Sequence, residues 1–280
     1  MSVAATSSYL SCAGYEMHVT EWGDVHAPAI VLWHGLARTG RDFDVLAQAL
    51  GRRHRVICPD TIGRGLSQWS TAPDRDYCFD VYAAQALTLA DALGLEKFAF
   101  VGTSMGAALG IRAAATTLAD RITHLVLNDM GPTFPSAPFE RIKAYVGNPP
   151  EFSTMAELEA YFRQIYTPFG WQSDADWRRM TETSLRRLPS GKLTTHYDPA
   201  IVRQCFAHPN DFEQWELYDR LTVPTLVLRG ATSDLLLPEI AQAMTRRGPK
   251  AQVLEVPGCG HAPILNVAGQ IEPIAAFLAG

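Results

Sequence analysis

Residues 98–106 read Phe-Ala-Phe-Val-Gly-Thr-Ser-Met-Gly, and this stretch decides the fold. Its apolar start predicts a buried strand, and the spacing of apolar residues over 105–117 predicts a helix directly after it. Between the two lies a Gly-x-Ser-x-Gly motif centred on Ser104. A sharp strand-to-helix turn exposes such a serine, and Gly102 and Gly106 lack the Cβ atoms that would collide across it. Ser104 is therefore a candidate nucleophile, the alternative being an ordinary turn with a solvent-facing serine.

The same rhythm of strand and helix continues on both sides of the motif. Apolar runs predict strands at residues 29–33, 55–59, 97–101, 125–129, 225–230 and 252–256. Helical spacing predicts helices at residues 41–50, 80–93, 105–117, 238–246 and 267–278. The chain opens on a predicted hairpin, residues 9–13 and 15–22, with its turn at Gly14. The sequence thus predicts an α/β fold, with a mostly parallel central sheet flanked by helices.

Residues 132–220 interrupt this rhythm and are rich in aromatic side chains. Fifteen of the 27 aromatic residues lie there: Phe134, Phe139, Tyr145, Phe152, Tyr161, Phe162, Tyr166, Phe169, Trp171, Trp177, Tyr197, Phe206, Phe212, Trp215 and Tyr218. So many rings must bury their faces, either in a small core of their own or over an apolar pocket. We expect a helical cap inserted into the α/β body, and both uses of the rings are compatible with it.

Composition excludes several functional classes. The 280 residues are 47% hydrophobic and carry a net charge of -5 with no basic block, so we expect a globular chain that binds no nucleic acid. Five cysteines without a Cys-x-x-Cys pair indicate neither a disulfide framework nor zinc. No nucleotide-binding or metalloprotease motif occurs, so we expect no cofactor and no metal. The sequence shows neither a signal-peptide pattern nor an apolar membrane span, so we expect a cytoplasmic protein. Its oligomeric state, monomer or homo-oligomer, stays open.

Four features together resemble the α/β-hydrolase family. They are Trp33-His34-Gly35-Leu36 after the third strand, the Asp-x-x-Gly-x-Gly-x-Ser loop at residues 60–67, the serine motif, and two late loops at residues 230–234 and 258–261. The resemblance covers nearly the whole chain. It implies a core of residues 1–131 and 221–280, with residues 132–220 as the cap.

The resemblance also implies roles for individual residues. Family members carry serine, acid and histidine in that order, which here selects Ser104, Asp234 and His261. Some relatives carry the acid after an earlier strand, so Asp129 is the alternative. The oxyanion donors would be the backbone N–H groups of Leu36 and Met105. His34 and Gly35 would shape the loop that presents Leu36.

The function that follows is hydrolysis of a carboxylic ester or lactone of a small apolar substrate through an acyl-enzyme. A serine in the motif, instead of an aspartate, argues against haloalkane dehalogenases and epoxide hydrolases. A C–C bond hydrolase of ring-cleavage products would use the same triad, but would need a cation such as Arg38 or Arg64 in its pocket. A perhydrolase side activity would use the same residues. A non-catalytic small-molecule receptor is the alternative from another class.

Overall fold

In the computed structural model, which describes residues 3–137, 140, 143 and 146–280, eight strands form one mostly parallel sheet. The strand order is β1-β2-β4-β3-β5-β6-β9-β10. Strands β1 and β2 form an antiparallel hairpin, β2 pairs antiparallel with β4, and every later pair in the order is parallel. Phe139 and Tyr145, two rings of the aromatic segment, lie outside the described residues.

The strands are β1 (Ala5–Cys12), β2 (Tyr15–Trp22), β3 (Ala29–Trp33), β4 (Arg55–Pro59), β5 (Phe98–Thr103), β6 (Ile122–Asn128), β7 (Leu185–Arg187), β8 (Leu193–Thr195), β9 (Thr225–Gly230) and β10 (Gln252–Val256). The described α-helices are α1 (Asp44–Leu50), α2 (Pro73–Asp76), α3 (Phe79–Ala92), α4 (Met105–Ala115), α5 (Met155–Ile165), α6 (Asp174–Thr183), α7 (Gln204–Ala207), α8 (Trp215–Tyr218), α9 (Pro238–Met244) and α10 (Ala268–Ala279). Short 3-10 helices lie at Gly40–Phe43, Thr167–Phe169, Pro199–Arg203 and Pro209–Phe212.

Two hydrophobic layers cover the two faces of the sheet. Successive side chains of a strand point to opposite faces, so Val31 and Trp33 of β3 belong to one layer and Ile30 and Leu32 to the other. Helices α3 and α4 complete the first layer, and α1 and α10 complete the second. Burial on both faces explains why the parallel strands are continuous apolar runs in the sequence.

These elements confirm the predicted fold class. Strands β3, β4, β9 and β10 begin and end where the apolar runs do, and β5 continues two residues further, to Thr103. The hairpin strand β1 begins earlier than expected, at Ala5, because its polar residues pair with β2 along their whole length. None of the helices in the described part of the chain combines the length and the apolar character needed to cross a bilayer.

The segment between β6 and β9 contains more than helices. Strands β7 and β8 form a two-stranded antiparallel sheet there, which the sequence analysis did not predict. Rings of this segment divide between two cores. Phe162, Tyr166 and Trp177 form a small cluster of their own with Leu158, Met180 and Leu193. Tyr197 and Tyr218 instead join the main core.

Candidate active site

The turn after β5 holds Ser104 in a strained backbone conformation. Its φ is +53° and its ψ is -116°, in a region that side chains other than glycine rarely adopt. Two glycines make the turn sterically possible. A Cβ atom on Gly102 would lie 2.2 Å from the Gly106 carbonyl oxygen, and one on Gly106 would lie 2.1 Å from that of Trp33. The turn therefore presents the Ser104 hydroxyl at the carboxyl edge of the sheet, where ligands bind in α/β folds.

A chain of hydrogen bonds runs from this serine to a buried carboxylate. Ser104 Oγ lies 2.8 Å from His261 Nε2, and His261 Nδ1 lies 2.8 Å from Asp129 Oδ2. Because Asp129 accepts at Nδ1, that nitrogen carries the proton, and Nε2 is free to accept the proton of Ser104. This contact corrects the expectation from the sequence. The carboxylate that pairs with His261 is that of Asp129, directly after β6, and not that of Asp234.

The loop after β9 explains this outcome. Gly230 donates its N–H to Asp129 Oδ1 at 2.7 Å, and the Ser233 hydroxyl donates to Asp129 Oδ2 at 2.6 Å. These donors hold the fully buried Asp129 carboxylate toward His261. Asp234 follows directly in the same loop, but its side chain is exposed at the cavity. The β9 loop thus orients the acid and does not supply it.

The loop after β3 places the expected oxyanion donors beside Ser104. A Cβ atom on Gly35 would lie 3.6 Å from Ser104 Cβ, so the loop passes close to the nucleophile. Within the described residues, neither the N–H of Leu36 nor that of Met105 donates a hydrogen bond. Both donors are therefore available to an oxygen bound at Ser104, as an oxyanion hole requires.

His34 fixes this loop from within the core. Its Nδ1 donates to the Gly35 carbonyl at 2.7 Å, and its Nε2 accepts from the Thr61 N–H at 2.9 Å. Burial lowers the pKa of His34 to about 4, so the ring is neutral at physiological pH. Both ring nitrogens are used in these contacts, so His34 has no nitrogen left for proton transfer.

Arg64 supports the same loop from behind. Its buried guanidinium donates to the Leu36 carbonyl at 2.8 Å and to the Ile62 carbonyl and the Tyr82 hydroxyl, each also at 2.8 Å. Because the Leu36 carbonyl is held in this way, the Leu36 peptide has a fixed orientation. Arg64 is not among the residues that line the cavity over Ser104, so it is not the pocket cation that a C–C hydrolase would need.

A cavity of about 570 Å³ opens above Ser104 and His261. Its wall comes from the β3 loop, the late loops and residues 165–169, including the rings of Tyr166 and Phe169. The charged residues in its lining are Arg38, Asp42 and Asp234. Arg38 donates from Nε to Asp42 at 2.8 Å and from Nη2 to the same carboxylate. With Arg38 paired to Asp42, the cavity offers an apolar wall and a guanidinium whose charge is already matched.

A second Ser–His–Asp chain of hydrogen bonds lies outside this cavity. Ser7 Oγ is 2.7 Å from His18 Nε2, and His18 Nδ1 is 2.8 Å from Asp60 Oδ2. Ser7 belongs to the regular edge strand β1, so it has neither the strained turn nor the helix N-terminus that Ser104 has. The Asp60 carboxylate also accepts the N–H groups of Gly40 and Leu66 and so ties loops together. We interpret this chain as structural, and Ser7 is a natural control for Ser104.

Among the described residues, no cluster of three or more His, Cys, Asp or Glu side chains is arranged to hold a metal ion.

Comparison with known proteins identifies the family. The model of the alpha/beta hydrolase family matches residues 30–272. The chain belongs to the α/β-hydrolase family. It is 36% identical to the 3-hydroxybutyrate-oligomer hydrolase of Cupriavidus necator over the full length of both chains. It is 29% identical to the N-formylmaleamate deformylase of Pseudomonas putida, covering 93% of this chain and 91% of the relative. The crystal structure of an alpha/beta hydrolase from Novosphingobium aromaticivorans superposes with a TM-score of 0.85 at 32% identity, covering 98% of both chains.

The family match confirms the resemblance, but several functional positions had no clear signal in the sequence. Ser233 and Gly230 hold the acid, yet both belong to a loop whose most conspicuous residue is the neighbouring aspartate. Arg38 and Arg64 are both arginines close to family motifs, and only the fold separates the one in the cavity from the one behind the loop. The position of Asp129 directly after a predicted strand was the reason to hold it as the alternative acid, and nothing in the sequence ranked it above Asp234.

Proposed function

We propose that this α/β hydrolase cleaves carboxylic ester bonds of a small substrate through an acyl-enzyme formed on Ser104. The observation that carries the proposal is the continuous hydrogen-bond chain from Ser104 through His261 to Asp129, which ends beneath a cavity. A non-catalytic receptor has no use for a strained serine that is hydrogen-bonded to an oriented imidazole. The enzyme reading is therefore favoured over the receptor reading.

The mechanism follows from the contacts. Ser104 Oγ attacks the ester carbonyl carbon as its proton passes to His261 Nε2. The N–H groups of Leu36 and Met105 stabilise the oxyanion, and Asp129 stabilises the imidazolium. When the intermediate collapses, His261 returns the proton to the departing alcohol. Water then attacks the acyl-enzyme by the same steps, which releases the acid and restores Ser104.

We propose short oligoesters of a hydroxy acid as the substrate class. Support comes from the full-length similarity to a 3-hydroxybutyrate-oligomer hydrolase and from the cavity of about 570 Å³ over Ser104. Residues 132–220 would act as a cap, because their residues 165–169 form one wall of the cavity. The C–C hydrolase alternative is weaker, since its dicarboxylate substrates would meet an Arg38 that is already paired with Asp42.

One experiment tests the proposal directly. The purified protein is assayed with 4-nitrophenyl esters of graded acyl length, with linear oligomers of 3-hydroxybutyrate and with a ring-cleavage dienoate. Ser104→Ala and the matched control Ser7→Ala are assayed beside it. We expect hydrolysis of the esters and oligomers, its loss in Ser104→Ala and its retention in Ser7→Ala. Turnover of the dienoate alone would replace the proposal with the C–C hydrolase.

A further inference from the structure

Asn128 connects the three segments that carry the catalytic side chains. It is the last residue of β6, directly precedes Asp129 and is fully buried. Its Nδ2 donates to Thr103 Oγ1 at 3.0 Å and to the Pro263 carbonyl oxygen at 2.8 Å. Its own carbonyl oxygen accepts the backbone N–H of Ser104 at 3.0 Å. One residue therefore contacts the turn of the nucleophile, the residue that bears the acid and the loop of the base.

The partners of Asn128 fix the direction in which its amide points. A carbonyl oxygen such as that of Pro263 can only accept, so the group that faces it is the NH₂ group. Both N–H bonds of this group are then used, one on each partner. The amide oxygen Oδ1, in contrast, is buried without a hydrogen-bond partner among the described residues. A buried oxygen without a donor costs free energy, so packing alone does not account for an amide at this position.

The contact with Pro263 anchors the stretch of backbone that carries His261. In the described part of the chain, no other hydrogen bond reaches the backbone of residues 261–263. The N–H groups on either side, those of Gly260 and Ile264, donate to carbonyl oxygens in the cavity wall, at 2.7 and 3.2 Å. The amide is therefore the group that ties the backbone of the base to the end of the sheet.

The contacts of the imidazole require a fixed backbone. His261 Nε2 lies 2.8 Å from Ser104 Oγ, and His261 Nδ1 lies 2.8 Å from Asp129 Oδ2, so the ring is held at both ends. A shift of the loop would lengthen at least one of these two hydrogen bonds. Misplacing a catalytic group by about 1 Å can cost about 100-fold in rate. The anchor at Pro263 thus has a direct consequence for proton transfer from the serine.

We infer that Asn128 is a positioning residue, which holds the loop of His261 at hydrogen-bond distance from Ser104. Asn128 is not among the residues that line the cavity, so it acts on the reaction through the Pro263 carbonyl and the Thr103 hydroxyl. The inference rests on the proposed function, because it takes His261 as the base. It adds a residue without which the base and the nucleophile lose their alignment.

Two variants separate hydrogen bonding from packing. Asn128→Ala removes both donors and leaves a cavity, whereas Asn128→Val removes the same donors but fills most of the volume with a side chain suited to a strand. We expect both to lower kcat for 4-nitrophenyl butanoate by about 10- to 100-fold, with KM within about threefold of the parent value. The rate at which a fluorophosphonate labels Ser104 should fall in proportion, because labelling needs the same base. Asn128→Val keeps the test valid if Asn128→Ala does not fold.

Gln204 in α7 supplies the matched control. It is also a fully buried amide, its Nε2 donates to Asp211 Oδ2 at 2.9 Å, and its Oε1 has no hydrogen-bond partner within the residues that the structure describes. It does not line the cavity. Gln204→Ala therefore removes the same kind of group at a distance from the triad. We expect it to lower the melting temperature, as Asn128→Ala does, and to leave kcat and the labelling rate unchanged.

The outcomes separate this inference from the proposed function. An Asn128→Val protein with the kcat and labelling rate of the parent would make Asn128 a space-filling residue and would overturn the inference. So would an effect on KM alone, or an equal loss of kcat in Gln204→Ala. In these cases the proposed function stands. If the parent cleaves no ester, the proposed function fails, and the labelling rates of the Asn128 variants decide the inference by themselves. A parent protein that the fluorophosphonate does not label overturns both.

Discussion

Replacing Asp129 by asparagine should cost the enzyme nearly all of its activity, through the tautomer of His261. Asp129 Oδ1 accepts the Gly230 backbone N–H, a donor that cannot be reversed. The amide oxygen of an asparagine must therefore take the Oδ1 position, which places its NH₂ group against Ser233 and His261. The Ser233 hydroxyl can rotate to accept from that group, but His261 can accept only at an unprotonated Nδ1. Its proton then lies on Nε2, which can no longer take the proton of Ser104.

The magnitude follows from this loss of the base. A triad acid changed to its amide lowers kcat by about 10⁴-fold, which corresponds to about 5.5 kcal/mol of transition-state stabilisation. Asp234→Asn is the matched control, since Asp234 is the other aspartate at the carboxyl edge of a neighbouring strand. We expect Asp234→Asn to stay within about threefold of the parent enzyme on a neutral ester, the range of an exposed charge. The assay is steady-state hydrolysis of 4-nitrophenyl butanoate at neutral pH.

Thermal unfolding of both variants supplies the necessary control, because Asp129 is buried and its replacement also affects the fold. A folded Asp129→Asn protein with lost activity supports the argument. The reverse ranking, with Asp234→Asn inactive and Asp129→Asn close to the parent, would refute the tautomer argument and make Asp234 the acid.

Two further predictions concern the nucleophile and His34. A fluorophosphonate should label the protein once, at Ser104, with or without a chelator, and Ser104→Ala but not Ser7→Ala should abolish the label; labelling that persists in Ser104→Ala would contradict the assignment. Because the pKa of His34 falls from 6.5 to about 4 on folding, the unfolded state binds more protons between these values. The contribution of His34 to stability should therefore drop by about 3 kcal/mol as pH falls from 6.5 to 4. His34→Gln should weaken this dependence in pH-resolved melting curves, leaving the smaller contribution of His196, whose pKa burial also lowers.

The fold could be predicted from the sequence because its signals are local. A parallel strand buried on both faces must be a continuous apolar run, and β3, β4, β9 and β10 match such runs residue for residue. The small β7–β8 sheet escaped prediction because each of its strands has only three residues, too few to show an alternating pattern. The signal for the nucleophile was equally local, because Gly102 and Gly106, which make the tight turn possible, lie within two residues of Ser104.

The acid could not be predicted with the same certainty because its position depends on contacts between distant parts of the chain. Two aspartates follow neighbouring strands, Asp129 after β6 and Asp234 after β9. The choice between them depends on the positive φ of Asp129, +55°, and on donors about a hundred residues away, Gly230 and Ser233. No pattern along the sequence expresses such a contact.

The two arginines near the site, Arg38 and Arg64, have different roles that only the fold distinguishes. Arg64 donates to the Leu36 carbonyl behind the oxyanion loop, so its charge serves the geometry of the loop and not the binding of substrate. Arg38 reaches the cavity with its charge already balanced by Asp42. A pocket with an unpaired arginine would select dicarboxylates, as a ring-cleavage hydrolase must. Among the described residues that line the cavity the one fixed cation is already paired, which makes such a pocket a poor match for dicarboxylates. The pairing of Arg38 with Asp42 thus supports the proposed ester substrates over dicarboxylates, although the same serine could cleave both classes.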